Sequence, residues 1–371
     1  MTTRHLVLVG GGHAHLEVLR RFAEHPEPGL TLTLIARKPQ TLYSGMVPGV
    51  IARDCNLEEA TIPLAPLARA AGARFLVDEV CGLDLAASTV RCVSGQTVAF
   101  DLVSLDIGGV ADLSVPGAAE HAIPARPIAD FVSRIGELDE IVRSVNEPAL
   151  ISVVGGGAAG CELALALTMR YRRSAQISLH CGTPRLLPDF PRAAARKVER
   201  CLSWRLGRAY TGDPVVNVKE QILQRGYCQY AFFDAVVWAT GVAAPPWLRS
   251  TALALDERGF VRVDRSLRSV SDPRVFAAGD VATIEGASVP KAGVWAVRAG
   301  PVLTENLRLA ARGQALRAWR PQRRALVLIN AGWKQAIGIW GPFVFEGEWV
   351  WRWKDSIDRR FIARYRIAEP A

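Results

Sequence analysis

The stretch LVLVGGGHAHLEVLRRFA, Leu6–Ala23, decides how this chain is read. Four apolar residues lead into three glycines, and Leu16, Leu19 and Phe22 then recur at helical spacing. A second apolar run, Leu30–Ala36 in GLTLTLIAR, completes a βαβ unit of about thirty residues. In such a unit the helix N-terminus aims unpaired backbone N–H groups at a phosphate. The first glycine makes the tight turn, the second admits the phosphates, and the third lets helix and strand pack closely. Gly10 and Gly12 meet the first two needs; His15 stands where the third glycine belongs.

The same grammar returns in ALISVVGGGAAGCELALALTMR, Ala149–Arg170, where Gly155, Gly157 and Gly160 satisfy all three needs and AQISLHCG supplies the second strand. Two such units, each between a strand and a helix, predict two dinucleotide-binding domains. Two further strands end in glycine: FDLVSLDIGG, which contains Gly108, and FDAVVWATG, which ends at Gly241. The acid that usually meets a ribose hydroxyl after the second strand is missing twice. Arg37 and Lys38 stand there in the first unit and are expected to pair with phosphate or stack on adenine. His180-Cys181-Gly182 stands there in the second, with Arg185 nearby, so neither NAD nor NADP is favoured.

The bulk properties narrow the class. The 371 residues carry a net charge of +9, unevenly spread. Residues 1–120 hold 9 basic against 13 acidic side chains, while residues 301–371 hold 13 against 6 and six of the ten tryptophans. That basic, aromatic tail suits a membrane surface or a protein partner. It is accompanied by no nucleic-acid motif, so no nucleic-acid partner is expected. No apolar run is long enough to span a bilayer, and no secretory leader is expected. The expected location is cytoplasmic, with peripheral contact on the inner face of a membrane as the alternative. The seven cysteines are scattered, without a C-x-x-C pair. Buried reduced thiols are expected, with no metal site. Cys161, at a helix start, has the alternative of a lowered pKa.

The motifs as a set resemble the flavoproteins that hold FAD in one dinucleotide-binding domain and NAD(P)H in a second, inserted one. WATG at 238–241 resembles their inter-domain turn, VFAAGD at 275–280 their FAD motif, and PKAGVWAVRAGPVLTENL the helix that meets the flavin pyrimidine edge. GGGHAHLEVLR, TLYSGMVPG, SLDIGG and WRWKDSIDRRF are similar to the type II NADH-dehydrogenase-like subgroup, in particular the flavoprotein module found fused to selenophosphate synthetase. The resemblance implies an α/β fold with two Rossmann-like domains, the second inserted in the first. The FAD-binding domain would span 1–112 and 242–320, the inserted NAD(P)H-binding domain 113–241, and a C-terminal strand-and-helix region 321–371.

It also implies site residues. Gly10, Gly12, Ala14 and His15 would surround the FAD diphosphate, the His15 imidazole facing phosphate or packing between helix and strand. Gly45, Met46 and Pro48 would line the isoalloxazine. Gly279 and Asp280 would hold the ribityl chain, and Lys291, Ala292 and Gly293 would approach the flavin ring, with Lys291 a candidate catalytic helper. Gly155, Gly157, Gly160 and Glu162 would form the NAD(P)H site, Glu162 either beside the nicotinamide or capping its own helix. The implied reaction takes a hydride from NAD(P)H to flavin and passes electrons to a small-molecule acceptor such as a quinone. A flavoprotein acting on a small sulfur or selenium compound, or a non-catalytic redox module docking a partner, are the alternatives. TLYSGMVPG lacks the cysteine pair of disulfide reductases.

In the tail, ALVLI and AIGIW read as strands around Gly332. Trp349, Trp351 and Trp353 alternate, which places all three on one face of a strand as an aromatic wall or lid. Lys354–Tyr365 reads as a final helix with Ile357, Phe361 and Tyr365 on one face, lying in an interface or docked on the flavin domain.

Overall fold

A computed structural model describes residues 3–367 apart from 206. In the first of two five-stranded parallel sheets, Arg4–Val9 lies between Leu30–Ala36 and Leu102–Leu105, with Ala73–Val77 and Val275–Ala277 at the edges. Leu6, Val7 and Leu8 are fully buried. That is why this strand is apolar on both faces: a parallel sheet is covered by helices on each side. Val275–Ala277 pairs with Leu102–Leu105, Val275 opposite Val103, so the sheet closes around everything between them.

The second sheet is built from that insertion, in the order Ile123–Pro124, Ala235–Trp238, Ala149–Val154, Ala175–Cys181 and Arg208–Thr211. The chain leaves and re-enters the first domain through Val110–Ala111 and Val242–Ala243, which pair antiparallel as a two-stranded ribbon. The architecture is α/β with two Rossmann-like units, as the repeated glycine turns imply.

The long helix Gly293–Ala311 lies against the first helix, His13–Glu24. A Cβ at Gly300 would come 2.7 Å from Glu17 Cβ, so the close approach of these helices needs a glycine there. The tail forms a three-stranded meander, Val327–Gly332, Gln335–Trp340 and Phe343–Gly347. Its first turn places Trp333 and Lys334 at φ 52° and 56°, the left-handed pair that matches hairpin twist.

The final helix spans Glu348–Tyr365 and corrects the strand expectation for the tryptophans. Val350, Lys354, Asp358, Phe361, Ile362 and Tyr365 are its buried face, a 3.6-residue period that outweighs the three-residue alternation. Trp349 and Trp353 fall one turn apart on the outer face, and Trp351 points elsewhere. The inner face docks on the first domain: the Tyr365 hydroxyl donates to Glu17 Oε2 at 3.0 Å. Ile357 stays outside, 36% exposed, so it does not share the buried face with Phe361 and Tyr365.

Candidate active site

At the first turn Gly10 adopts φ 96°, and a Cβ on it would lie 2.3 Å from the Asp106 carbonyl oxygen. The helix starts at His13 with Gly12 as its cap and no capping side chain of its own. The cap comes from 92 residues away. Asp106 Oδ2 accepts the N–H groups of Ala14 at 2.7 Å and His15 at 3.0 Å. Gly12 would collide with this carboxyl if it carried a Cβ, at 2.3 Å from Asp106 Cγ.

The His15 imidazole does not face the phosphate position, which corrects one of its two expected placements. It is fully buried between helix and sheet. Nδ1 lies 2.7 Å from the Gly10 carbonyl and Nε2 2.8 Å from Ser104 Oγ. A carbonyl only accepts, so Nδ1 carries the proton and Nε2 accepts from the serine hydroxyl. Burial lowers its pKa to about 4, and the ring is neutral. A histidine thereby replaces the third glycine by bridging the helix to the glycine turn and to one strand, Leu102–Leu105.

The second turn follows the simpler plan. A Cβ at Gly155 would lie 2.4 Å from the Ala239 carbonyl, and one at Gly160 only 1.9 Å from the Gly155 carbonyl. Gly157 faces open space. No side chain caps this helix, Ala158–Tyr171. Cys161 is buried within it, and burial raises its pKa, which removes the lowered-pKa alternative. All seven cysteines are unpaired. The Arg185 guanidinium folds back onto the carbonyls of Leu187, at 2.7 Å, and Pro188, so it does not reach out toward a nucleotide.

Arg37 and Lys38 also differ from expectation. Both reach Asp130 of the inserted domain, at 2.6 and 2.9 Å. Charges at the end of the second strand thus tie the two domains together rather than standing free for phosphate or adenine.

Gly279, at φ 72°, brings Asp280 to the first turn. Its ideal Cβ would lie 2.7 Å from Asp106 Oδ1. Asp280 is bound by Arg126 Nη1 at 2.7 Å, a partner the sequence did not announce. Lys291 donates to the Ala282 carbonyl and to Thr283 Oγ1 and lies 4.0 Å over the Phe260 ring. Burial lowers its pKa to about 8. Its side chain straps two loops together, so the free charge expected of a catalytic helper is not found.

Ala292 caps the long helix and Gly293 begins it. A Cβ at Gly293 would sit 3.1 Å from Ser44 Oγ and 3.2 Å from His13 Nδ1. Three segments therefore converge here: the first glycine turn, the loop of Gly45 and Met46, and the N-terminus of the long helix. Met46 and Pro48 are buried at the start of the short helix Val47–Ala52. His13 Nε2 is buried at this junction without a hydrogen-bond partner.

The C-terminal helix closes the junction. Lys354 and Asp358, each 7% exposed, pair at 2.7 Å, and Lys354 also donates to the Gly45 carbonyl. Tyr43 stacks on Phe361 at 4.1 Å. Glu162 does not cap its own helix; its Oε1 accepts the Asn330 N–H at 2.8 Å, from the tail meander. Burial pushes the Glu162 carboxyl up to about 7, with Lys354 opposing and Asp358 adding to the rise.

Asp106, Arg126, Lys354 and Asp358 are the residues that reading the sequence missed. Two signals were available: an acid ending the apolar strand of SLDIGG, and a Lys-x3-Asp pair at helical spacing on an otherwise apolar face.

The residues present fit FAD at the first turn. The N–H groups of Gly12 and His13 have no acceptor among the described residues, and His13 Nε2 lacks a partner where a polar ligand group would pass. The second turn offers the open cradle at Gly157 for a second nucleotide.

A family model described as pyridine nucleotide-disulphide oxidoreductase matches residues 4–300. Demethylphylloquinone reductase NdbB of Synechocystis is 23% identical over 294 residues, 76% of this chain and 73% of that protein. The solved NDH2 of Plasmodium falciparum, in complex with NADH, superimposes with a TM-score of 0.81 at 13% identity, covering 98% of this chain and 97% of that one. The sulfide:quinone oxidoreductase of Aquifex aeolicus gives the same TM-score at 18% identity, covering 98% and 91%.

Proposed function

Because the chain belongs to the pyridine nucleotide-disulphide oxidoreductase family, whose members are FAD-dependent enzymes, we propose that it oxidises NAD(P)H and reduces a quinone. The observation that carries this reading is that Glu162, from the helix after the second glycine turn, reaches the junction where the first turn, the Gly45 loop and the C-terminal helix meet. The quinone is supported by the relative named a demethylphylloquinone reductase and by the absence of a cysteine in TLYSGMVPG. FAD supplies the hydride acceptor and the exit for electrons.

The chain's own residues bind and orient. Gly12, His13, Gly279 and Asp280 would hold FAD, and Gly155, Gly157 and Gly160 the pyridine nucleotide. The N-terminus of Gly293–Ala311 would favour negative charge at the flavin edge. Glu162, poised near pH 7, would hold a proton below that pH and release it above. Lys354, bonded to the Gly45 carbonyl and to Asp358, anchors the C-terminal helix at the same junction.

The test is anaerobic. The purified protein should absorb at about 450 nm, bleach with NADH or NADPH, and recover its colour on adding a soluble quinone. Asp280→Ala should lose FAD; full occupancy would refute that assignment. Bleaching by sulfide or selenide but not by NAD(P)H would overturn the reading in favour of sulfur or selenium chemistry.

We infer also that the outer face of the C-terminal helix meets a membrane surface. Trp349, Trp353 and Ile357 are 56%, 42% and 36% exposed, and Phe343 and Trp340 extend the patch to 66% and 44%. No helix among the described residues is long and apolar enough to cross a membrane. Aromatic side chains with arginines beside them suit an interfacial seat. Sedimentation with anionic lipid vesicles should be lost in Trp349→Ser/Trp353→Ser; equal sedimentation of both proteins would remove the inference.

A further inference from the structure

The two glycine turns of this chain can be compared with each other, and they differ at one place. Gly10 packs on the carbonyl of Asp106 as Gly155 packs on the carbonyl of Ala239, at 2.3 and 2.4 Å from their ideal Cβ positions. Asp106 and Ala239 are thus equivalent residues, each at the end of the strand beside its turn. The pyridine-nucleotide turn has a methyl there. The FAD turn has a carboxyl, 3% exposed, that already occupies the N–H groups of Ala14 and His15.

This arrangement creates a charge conflict. A helix N-terminus carries roughly half a positive charge. A diphosphate diester is fully ionised and seeks the same end of the same helix. A buried carboxylate beside it would be a second anion in a site of low dielectric, where repulsion is not screened.

The groups facing Asp106 do not remove the conflict. Asp280 lies beside it on the Gly279 segment and is itself paired with Arg126. His13 and His15, on the first helix, are both held near pKa 4 by burial and are neutral. The central strand contributes only Leu6, Val7, Leu8 and Val9. Lys291 is spent on the Ala282 carbonyl and Thr283.

We propose that Asp106 is an FAD-binding residue in its neutral form, so that the diphosphate and one proton enter this site together. The proposal rests on the first turn being the FAD site. As an acid, Asp106 keeps Oδ2 as the acceptor for Ala14 and His15, and its hydroxyl becomes a donor. Proton uptake removes the repulsion while leaving the helix cap intact. Burial already pushes this carboxyl up to about 7, against the pull of the two N–H groups, and Asp280 adds to the rise.

The sign of the linkage follows. Binding an anion raises the pKa of Asp106 further. FAD affinity is therefore full below about pH 7 and falls about tenfold per pH unit above it, until the bound-state pKa is reached. Free FAD fluorescence after dilution of the holoprotein, from about pH 6 to 9, gives the dissociation constant directly. The unaltered chain should show that slope. Asp106→Asn keeps the acceptor oxygen and gains a permanent donor, so it should bind with no slope and as tightly at high pH as the unaltered chain does at low pH. A flat dissociation constant in the unaltered chain, or the same slope in Asp106→Asn, would overturn the proposal.

A calorimetric reconstitution with FAD in two buffers of different ionisation enthalpy counts the protons taken up. Uptake at about pH 8 that is larger in the unaltered chain than in Asp106→Asn by close to one proton supports the proposal, and equal uptake in the two overturns it. A chain that binds no FAD at any pH fails differently, because it overturns the FAD reading beneath it.

Discussion

Gly160→Ala is expected to give a protein that keeps its FAD and is no longer reduced by NAD(P)H. The added Cβ would stand 1.9 Å from the Gly155 carbonyl oxygen, and both partners are backbone, so no side chain can turn away. The helix Ala158–Tyr171 must move off its strand or the Gly155 turn must distort. Either change withdraws the N–H groups that would face the nucleotide phosphates. A loss of about 3 kcal/mol in binding corresponds to roughly a hundredfold fall in kcat/KM for NAD(P)H. The flavin absorbance should be unchanged, since the first turn lies in the other sheet. Stopped-flow reduction of the flavin under anaerobic conditions separates the outcomes. A reduction rate within twofold of the unaltered chain would show that this turn does not hold the pyridine nucleotide. The same substitution has no counterpart at position 15, where the buried His15 imidazole already reaches the Gly10 carbonyl and Ser104.

Lys354→Met should be the most destabilising single change on the C-terminal helix. Lys354 is buried, paired with Asp358 at 2.7 Å, and bonded to the Gly45 carbonyl. Methionine replaces most of the aliphatic stem but leaves a buried carboxylate and a carbonyl without their donor. Removing one member of a buried ion pair costs about 3–5 kcal/mol. Replacing both, as Lys354→Met/Asp358→Leu, leaves no uncompensated charge and should recover most of that loss. Urea unfolding followed by tryptophan fluorescence checks both variants, and the double variant is the discriminating one. Equal destabilisation of single and double variants would mean that the Gly45 tether, not the ion pair, is the source. The tether also matters for the site, because it holds the Gly45 and Met46 loop against the N-terminus of Gly293–Ala311.

The two turns show how much of a site a pattern carries. Strand, glycine turn and helix are local, and their residues sit within one another's reach along the chain, so both nucleotide turns could be read from spacing. The substitution of His15 for glycine was legible as a departure, but not its meaning. Only folding shows that the imidazole is satisfied by Gly10 and Ser104. Similarly, Arg37, Lys38 and Lys291 are legible in the sequence as cations, but not what each of them pairs with. Their partners, Asp130 and the Ala282 carbonyl, lie on other segments, and a charge takes whichever acceptor the fold brings nearest. In the tail a short alternation of tryptophans, which reads as a strand, competes with a longer helical period. The longer period decides because it gives the helix a continuous face to bury.

By itself, then, the sequence determined the α/β class, the doubling of the nucleotide unit, and the backbone positions that must be glycine, while the insertion of one unit in the other was what the family resemblance implied. The first three follow from periodicity and from the steric demands of a turn, which act over a few residues. The tertiary structure alone decided what meets at the junction. Asp106 reaches a helix 92 residues away, Arg126 reaches Asp280 across 154, and Lys354 reaches Gly45 across 309. No propensity or spacing encodes such pairs. They are chosen when buried polar groups, once removed from water, must find partners among whatever side chains the packing leaves beside them.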